Sequence, residues 1–277
     1  MRGGFATLST CRTGSRPSIA VRGDSYAMHI VQAILASRNE EENVIQFTQS
    51  ECAPVEGISI KTPWVTEGWA MDCISFNKEV LEWIKNHDFI EYVVMSSPMT
   101  IIHHDTIDSK GERSPPSREN VALAANKVAN ILVQHGKKPV FLSPPPQTGD
   151  DLSKCASHIV IFGGSDIVDC SFKEEDSSES YAAIMGFLKS YAFIIPVVDL
   201  NKLICFNGIC KTFVDNINIY RDKGHLSHAG SYYIGRKYDL LPIIKARRNS
   251  YWSQENYVQI DLTKSSKFLE IQEYGSY

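Results

Sequence analysis

The sequence predicts an α/β protein, a three-layer α/β/α sandwich around a five-stranded parallel sheet. Three observations carry that prediction. Short apolar runs suited to buried strands alternate with longer stretches whose apolar residues recur every three or four positions. The count, five core strands with four or five helices, matches a sheet covered on both faces. The chain has 277 residues, 43% hydrophobic and 22% charged, which suits one large α/β domain or two small ones.

Residues 1–16 are rich in Gly, Ser, Thr and Arg and read as a flexible lead-in. Residues 17–248 read as the folded domain and 249–277 as a C-terminal appendage. The first strand is 18–23, with the apolar run Ser18-Ile19-Ala20-Val21. A helix over 25–37 follows at once, because Met28, Ile30, Val31, Ile34 and Leu35 fall on one face. A short strand is expected at 44–48. Residues 49–72 contain Pro54, Gly57, Pro63 and Gly68 without a period and read as a long loop, often a functional feature. Residues 73–87 read as a helix, 90–95 as a strand and 96–116 as an irregular stretch. Ser117 caps a helix that runs to His135 and stops at Gly136. Residues 138–143 form a strand ended by three prolines. A polar region, 147–177, includes an apolar piece at 159–162. A helix at 178–191 and a strand at 193–198 complete the alternating pattern. Asn207-Gly208 marks a hairpin within 203–220. A final helix is expected from about 228 to Arg248. This is a sheet of flavodoxin-like type, whose sites lie at the carboxyl ends of the strands.

Net charge is −4 with no long basic run, which argues against nucleic acid as the main partner. No apolar stretch approaches the roughly 18 residues that cross a bilayer, and the N-terminus lacks the apolar middle of a signal peptide. The seven cysteines are dispersed, with no CxxC or Cys/His grouping of a zinc site, so no metal is expected. Cys205 and Cys210 flank the Phe-Asn-Gly-Ile turn and could bridge a hairpin. Cys52 and Cys73 bracket a loop that contains Pro54, Gly57, Pro63 and Gly68. Seven cysteines leave at least one unpaired within the chain. Disulfides imply an oxidising compartment, and the missing export signal then makes this chain part of something longer.

Two stretches could carry chemistry. Ser25 falls where the first strand turns into a helix, near free backbone N–H groups and the positive end of the helix dipole. Asp24 or Ser25 could equally cap that helix. Asp222 and His225 are three apart, just before the last helix. That spacing lets a carboxylate bond Nδ1 of the ring while Nε2 points outward, as a serine nucleophile requires of its base. Elsewhere, His103-His104-Asp105 with Asp108 reads as a solvated loop more readily than a metal site. Gly163-Gly164-Ser165-Asp166 lacks the lysine and spacing of a P-loop. His29, one helical turn past Ser25, reads as a packed residue. Trp64 and Trp69 could stack on a sugar ring or pack locally.

Gly23-Asp24-Ser25 and Asp222-x-x-His225-Leu226-Ser227 together resemble the first and last blocks of the SGNH (GDSL-like) hydrolase superfamily. More narrowly, the chain resembles the SGNH domain fused to acyltransferase-3 membrane proteins that O-acetylate bacterial surface glycans. Gly23-Asp24-Ser25-Tyr26-Ala27, Cys52-Ala53-Pro54 with Cys73-x-x-Phe76-Asn77, and the run from Leu203 through Cys205, Cys210, Tyr220 and Ser227 carry the narrower likeness. It spans about residues 17–245.

The resemblance implies an SGNH hydrolase fold and a Ser–His–Asp triad. Ser25 would be nucleophile, His225 base and Asp222 its orienting partner, with the Ser25 backbone N–H as one oxyanion donor. Gly57 or Gly68 would supply another. The Gly-x-Asn expected after the third strand is replaced by Met95-Ser96-Ser97-Pro98, and Tyr26 replaces the family's histidine after the serine. Tyr26, Gly57 and Trp69 are the candidate substrate-binding residues. No cofactor is implied. The acyl donor would be acetyl-CoA-derived and delivered by a membrane acyltransferase domain upstream in a longer protein. The acceptor would be a glycan such as lipopolysaccharide O-antigen, at the periplasmic face of the inner membrane. A carbohydrate acetylesterase and a non-catalytic glycan-binding module are the alternatives on the same fold.

Overall fold

Each strand of the central sheet carries apolar residues on both faces, so the sheet must be covered on both sides. The computed structural model describes residues 11–155, 170–191 and 195–253. In chain order its strands are β1 (Ile19–Gly23), β2 (Val44–Thr48), β3 (Ile58–Lys61), β4 (Tyr92–Ser96), β5 (Asp105–Asp108), β6 (Arg113–Ser114), β7 (Lys138–Leu142), β8 (Ser171–Lys173), β9 (Val197–Val198), β10 (Cys205–Phe206), β11 (Ile209–Lys211), β12 (Phe213–Val214) and β13 (Ile217–Asn218). The helices are α1 (Ser25–Ser37), α2 (Glu67–Lys85), α3 (Arg118–Gln134), α4 (Glu179–Tyr191), α5 (Asn201–Ile204), α6 (His228–Tyr238) and α7 (Leu240–Ser253).

The central sheet is parallel throughout, in the order β2-β1-β4-β7-β9. Its residues alternate between two cores, as the two-residue period of a strand requires. Ala20, Ile45, Phe47, Val93, Met95 and Phe141 face one core, with α2, α3 and α4. Ile19, Val21, Val44, Val94, Val140 and Leu142 face the other, with α1, α6 and α7. This is the expected three-layer sandwich.

The tightest helix contact is α1 against α6. A Cβ on Gly235 would lie 2.2 Å from the Ala33 carbonyl oxygen, so only glycine permits this approach. Ser231 is buried in the same seam. Its hydroxyl donates to the His29 carbonyl at 2.5 Å and accepts from the Ala33 N–H at 3.1 Å. This packing presents the loop before α6 to the start of α1.

Several expectations are corrected. The 49–72 loop contains β3, and α2 starts at Glu67, capped by the Thr66 hydroxyl, which accepts from the Trp69 N–H. The 96–116 stretch contains β5 and β6, which form an antiparallel sheet with β3. These strands are too short for their alternation to stand out. The single last helix is two, α6 and α7, divided at Asp239 in a left-handed conformation (φ 49°). Pro242 accounts for the break, because its ring collides with the carbonyl four residues back, that of Tyr238. Arg12 and Thr13, within the expected lead-in, bond to the edge of β2. The piece at 159–162, Gly163 to Asp166 and most of the 249–277 appendage lie outside the described residues.

Disulfides join Cys52–Cys73, Cys155–Cys170 and Cys205–Cys210, leaving Cys11 free. The first ties the loop after β2 to α2. The third closes the β10–β11 hairpin.

Gly23 ends β1 with φ 144°, and a Cβ there would lie 2.0 Å from the backbone oxygen of Ser96 on the neighbouring strand. Gly23→Ala should therefore destabilise the protein by roughly 2–4 kcal/mol, read as a lower urea midpoint. A wild-type midpoint would contradict this account of the turn.

Candidate active site

The turn from β1 into α1 divides its labour between two residues. Asp24 is the cap: its Oδ1 accepts from the Tyr26 N–H at 2.9 Å. Ser25 is thereby left as the first helical residue, with its hydroxyl free for another partner. That partner is His225, whose Nε2 is 2.7 Å from Ser25 Oγ across 200 residues of sequence.

The His225 loop is organised by Asp222. Its Oδ1 accepts from the backbone N–H of Gly224 at 3.0 Å and of His225 at 2.8 Å, an Asx turn. The same carboxylate accepts from His225 Nδ1 at 2.9 and 3.0 Å. With Nδ1–H engaged there, Nε2 accepts from the Ser25 hydroxyl. Burial alone would raise the Asp222 pKa. The Gly224 and His225 N–H groups and the imidazole outweigh it and hold the carboxyl well below its usual range.

Behind this chain stand Tyr26 and His29. The Tyr26 ring lies 4.6 Å from the His225 ring and 5.0 Å from that of His29. A Cβ on Gly224 would lie 2.1 Å from the Tyr26 hydroxyl oxygen, so the glycine makes room for the phenol. Burial and then the Asp24 carboxylate raise the Tyr26 pKa, so the phenol stays protonated, and it shares a hydrogen bond with Gln147. Burial, followed by the neighbouring His225, holds His29 far below the usual imidazole range. The neutral ring accepts at Nδ1 from the Leu226 N–H at 3.1 Å. It thus anchors the chain one residue past His225.

Ser25 and His225 open into a cavity of about 250 Å³. Its polar wall includes Glu51, Ser97, Thr100, Gln147, Ser180 and Tyr181. Ser97 stands where the sequence lacks Gly-x-Asn. Its hydroxyl donates to Asp24 Oδ2 at 2.6 Å and accepts from the Met99 N–H at 3.1 Å.

The sequence matches the family described as SGNH domain (fused to AT3 domains) over residues 2–239. The chain belongs to this SGNH family. No curated protein matches it. Among solved structures it is similar to the periplasmic domain of a lipopolysaccharide acetyltransferase from Salmonella ser. Paratyphi A, with 16% identity, 84% of this chain and 86% of that chain covered, and a TM-score of 0.61. A GDSL-like lipase from Bacteroides thetaiotaomicron is 10% identical, over 84% of this chain and 92% of that chain, with a TM-score of 0.45.

The SGNH domain brings Ser25, Asp222, His225 and Tyr26 to one place. It does not bring Gly57 and Trp69 there. Gly57 occupies a turn with φ 80° before β3 and is not among the cavity's lining residues. Trp69 is on the first turn of α2, with its indole N–H donating to the Ser50 carbonyl at 3.0 Å. The stretch that holds them folds into β3 and α2, which carry both residues away from the cavity. Trp64 lies edge-on to His104, also away from the lining. Among the described residues no group of His, Cys, Asp and Glu could hold a metal ion. Sequence reading missed Glu51, Ser97, Gln147 and Tyr181. Position just after a core strand was the available signal for Ser97 and Glu51.

Burial pushes the Asp24 carboxyl up to about 7, against the lowering effect of the Ser97 and Tyr26 bonds. The folded state therefore holds this proton more tightly than the unfolded chain, where a model carboxyl titrates near 3.8. Stability from Asp24 is full below about pH 4 and is lost as pH rises to about 7, by roughly 4 kcal/mol. Asp222 acts with the opposite sign and in a different window, its contribution being lost only as pH falls below about 4. Urea denaturation from pH 4 to 8 should show Asp24→Asn losing less stability with rising pH than wild type. Parallel curves would contradict the assignment.

Proposed function

We propose that the protein is a serine-dependent O-acyltransferase that moves an acyl group, most simply acetyl, to a hydroxyl of a bacterial surface glycan such as lipopolysaccharide O-antigen. The observation that carries this reading is the hydrogen-bonded Ser25–His225–Asp222 chain opening into a cavity with one polar and one apolar wall. Membership in a family whose domain is fused to AT3 domains supports it, as does likeness to the periplasmic domain of a lipopolysaccharide acetyltransferase.

In this mechanism Ser25 Oγ attacks the acyl carbonyl while His225 Nε2 takes its proton. Asp222 holds Nδ1–H and stabilises the imidazolium that forms. The Ser25 backbone N–H, at the start of α1, would face the developing oxyanion with the helix dipole behind it. His225 returns the proton to the leaving group, and the acyl group now rests on Ser25. A glycan hydroxyl then gives its proton to His225 and takes the acyl group, restoring Ser25. No cofactor is used by these steps. The donor would come from a membrane acyltransferase domain upstream in the same polypeptide, with this domain in the periplasm. Three disulfides fit that compartment, where such bonds persist. Among the described residues no helix is long and apolar enough to cross a membrane.

Water in place of the glycan hydroxyl would make the same site an acetylesterase. A non-catalytic module would leave His225 out of reach of Ser25, and the 2.7 Å separation speaks against it.

Ser25→Ala should lower turnover of 4-nitrophenyl acetate by on the order of 10³-fold or more while leaving the circular dichroism spectrum unchanged. Wild-type incubated with the ester should carry the acetyl group on the Ser25 peptide in mass spectrometry. Unchanged turnover in Ser25→Ala would sink the assignment.

A further inference from the structure

Glu51 lies in the loop that follows β2, at the carboxyl edge of the sheet. It holds a left-handed conformation (φ 56°), which a residue with a Cβ adopts at a cost. Its neighbours are restrained on every side. The Gln49 N–H donates to the Gly23 carbonyl at 3.1 Å, and the Cys52 N–H donates to the Gln49 carbonyl at 3.2 Å. Trp69 bonds the Ser50 carbonyl, Asn77 Nδ2 donates to the Ala53 carbonyl at 2.8 Å, and the disulfide fixes Cys52 to Cys73 on α2. None of these bonds uses the Glu51 side chain. That side chain has no salt-bridge partner among the described residues, and Glu51 lines the cavity with Ser25. Burial is the main cause of the raised pKa of Asp24 and of Tyr26, and the Glu51 charge adds a smaller push in the same direction at each. The loop is thus stapled in a strained form that sets the Glu51 carboxylate on the wall of the cavity into which Ser25 opens.

The rest of the cavity has a matching character. Hydroxyl and amide side chains line one side of it and Ile60, Ile101 and Ile184 the other, as the polar edge and apolar face of a sugar ring require; Asp24 is a second carboxyl, and no lysine or arginine is present among the lining residues. Its volume, about 250 Å³, is below that of usual drug-sized sites and suits one monosaccharide unit. A sugar diol offers the donors that a carboxylate takes. An acidic sugar would bring a like charge next to Glu51 with no lysine or arginine among the lining residues to offset it.

We infer that Glu51 is an acceptor-specificity residue: its carboxylate binds hydroxyls of an uncharged sugar unit beside Ser25 and excludes uronic and other anionic sugars. This rests on the reading of the cavity as the acceptor site of an acyltransferase, and it adds the class of sugar and the residue that selects it.

Binding tests it separately from the chemistry. Methyl N-acetylglucosaminide and methyl glucuronide are titrated by saturation-transfer NMR into the whole chain carrying Ser25→Ala, so that no acyl transfer intervenes. The neutral glycoside is expected to bind at least tenfold more tightly than the glucuronide. Glu51→Gln, at an exposed position, should weaken the neutral glycoside about fivefold and narrow the ratio, and Glu51→Lys should reverse it. Equal binding of the two glycosides, a ratio unmoved by Glu51→Gln, or no binding of the neutral glycoside overturns the inference. Loss of Ser25-dependent ester turnover is a separate result, bearing on the catalytic reading alone.

Discussion

The close approach of Gly23 to the Ser96 carbonyl is the contact on which the site depends. Parallel pairing of β1 with β4 brings these residues opposite each other, and the absence of a side chain on Gly23 lets the chain turn there. One residue on, the pairing is continued by side chains, with the Ser97 hydroxyl on the Asp24 carboxyl. Asp24 in turn caps α1 through the Tyr26 N–H. The sheet edge, the cap and the hydroxyl of Ser25 are therefore one rigid unit. Displacing Gly23 would shift all three.

The other half of the site is set by the seam between α1 and α6. Ser231 bonds two backbone groups of α1, and Gly235 lets the helices approach to backbone contact. His29 extends that seam by holding Leu226, next to His225. Its low pKa belongs to this structural role, since a charged ring could not accept from the Leu226 N–H. Tyr26 then closes the space between the two histidines. Tyr26 is thus a packed wall against the imidazole.

Two aspartates within this small volume show how surroundings decide ionisation. Asp24 has two hydrogen bonds but is fully desolvated and near another carboxylate, so its proton is retained up to about pH 7. Asp222 is partly exposed, accepts two backbone N–H groups and faces the imidazole, so it stays charged. A charged Asp222 can stabilise an imidazolium, whereas Asp24 serves as a structural link.

The apolar periods of β1, β2, β4 and β7 and of α1, α3 and α4 made the sandwich legible, because local burial patterns encode layers. The spacing of Asp222 and His225 and the Gly-Asp-Ser turn made three site residues legible in the same way, since each group is local. Position within the 49–72 stretch is a poor guide to the site, because Gly57 belongs to a turn and Trp69 to a helix start. Pro242 carried the signal that the last helix is broken, and the apolar period concealed it. By itself the sequence determined the layers and the local motifs. Tertiary structure alone decided that Glu51, Ser97 and Gln147 surround Ser25, because a cavity is made by segments distant in sequence and no local period records their approach.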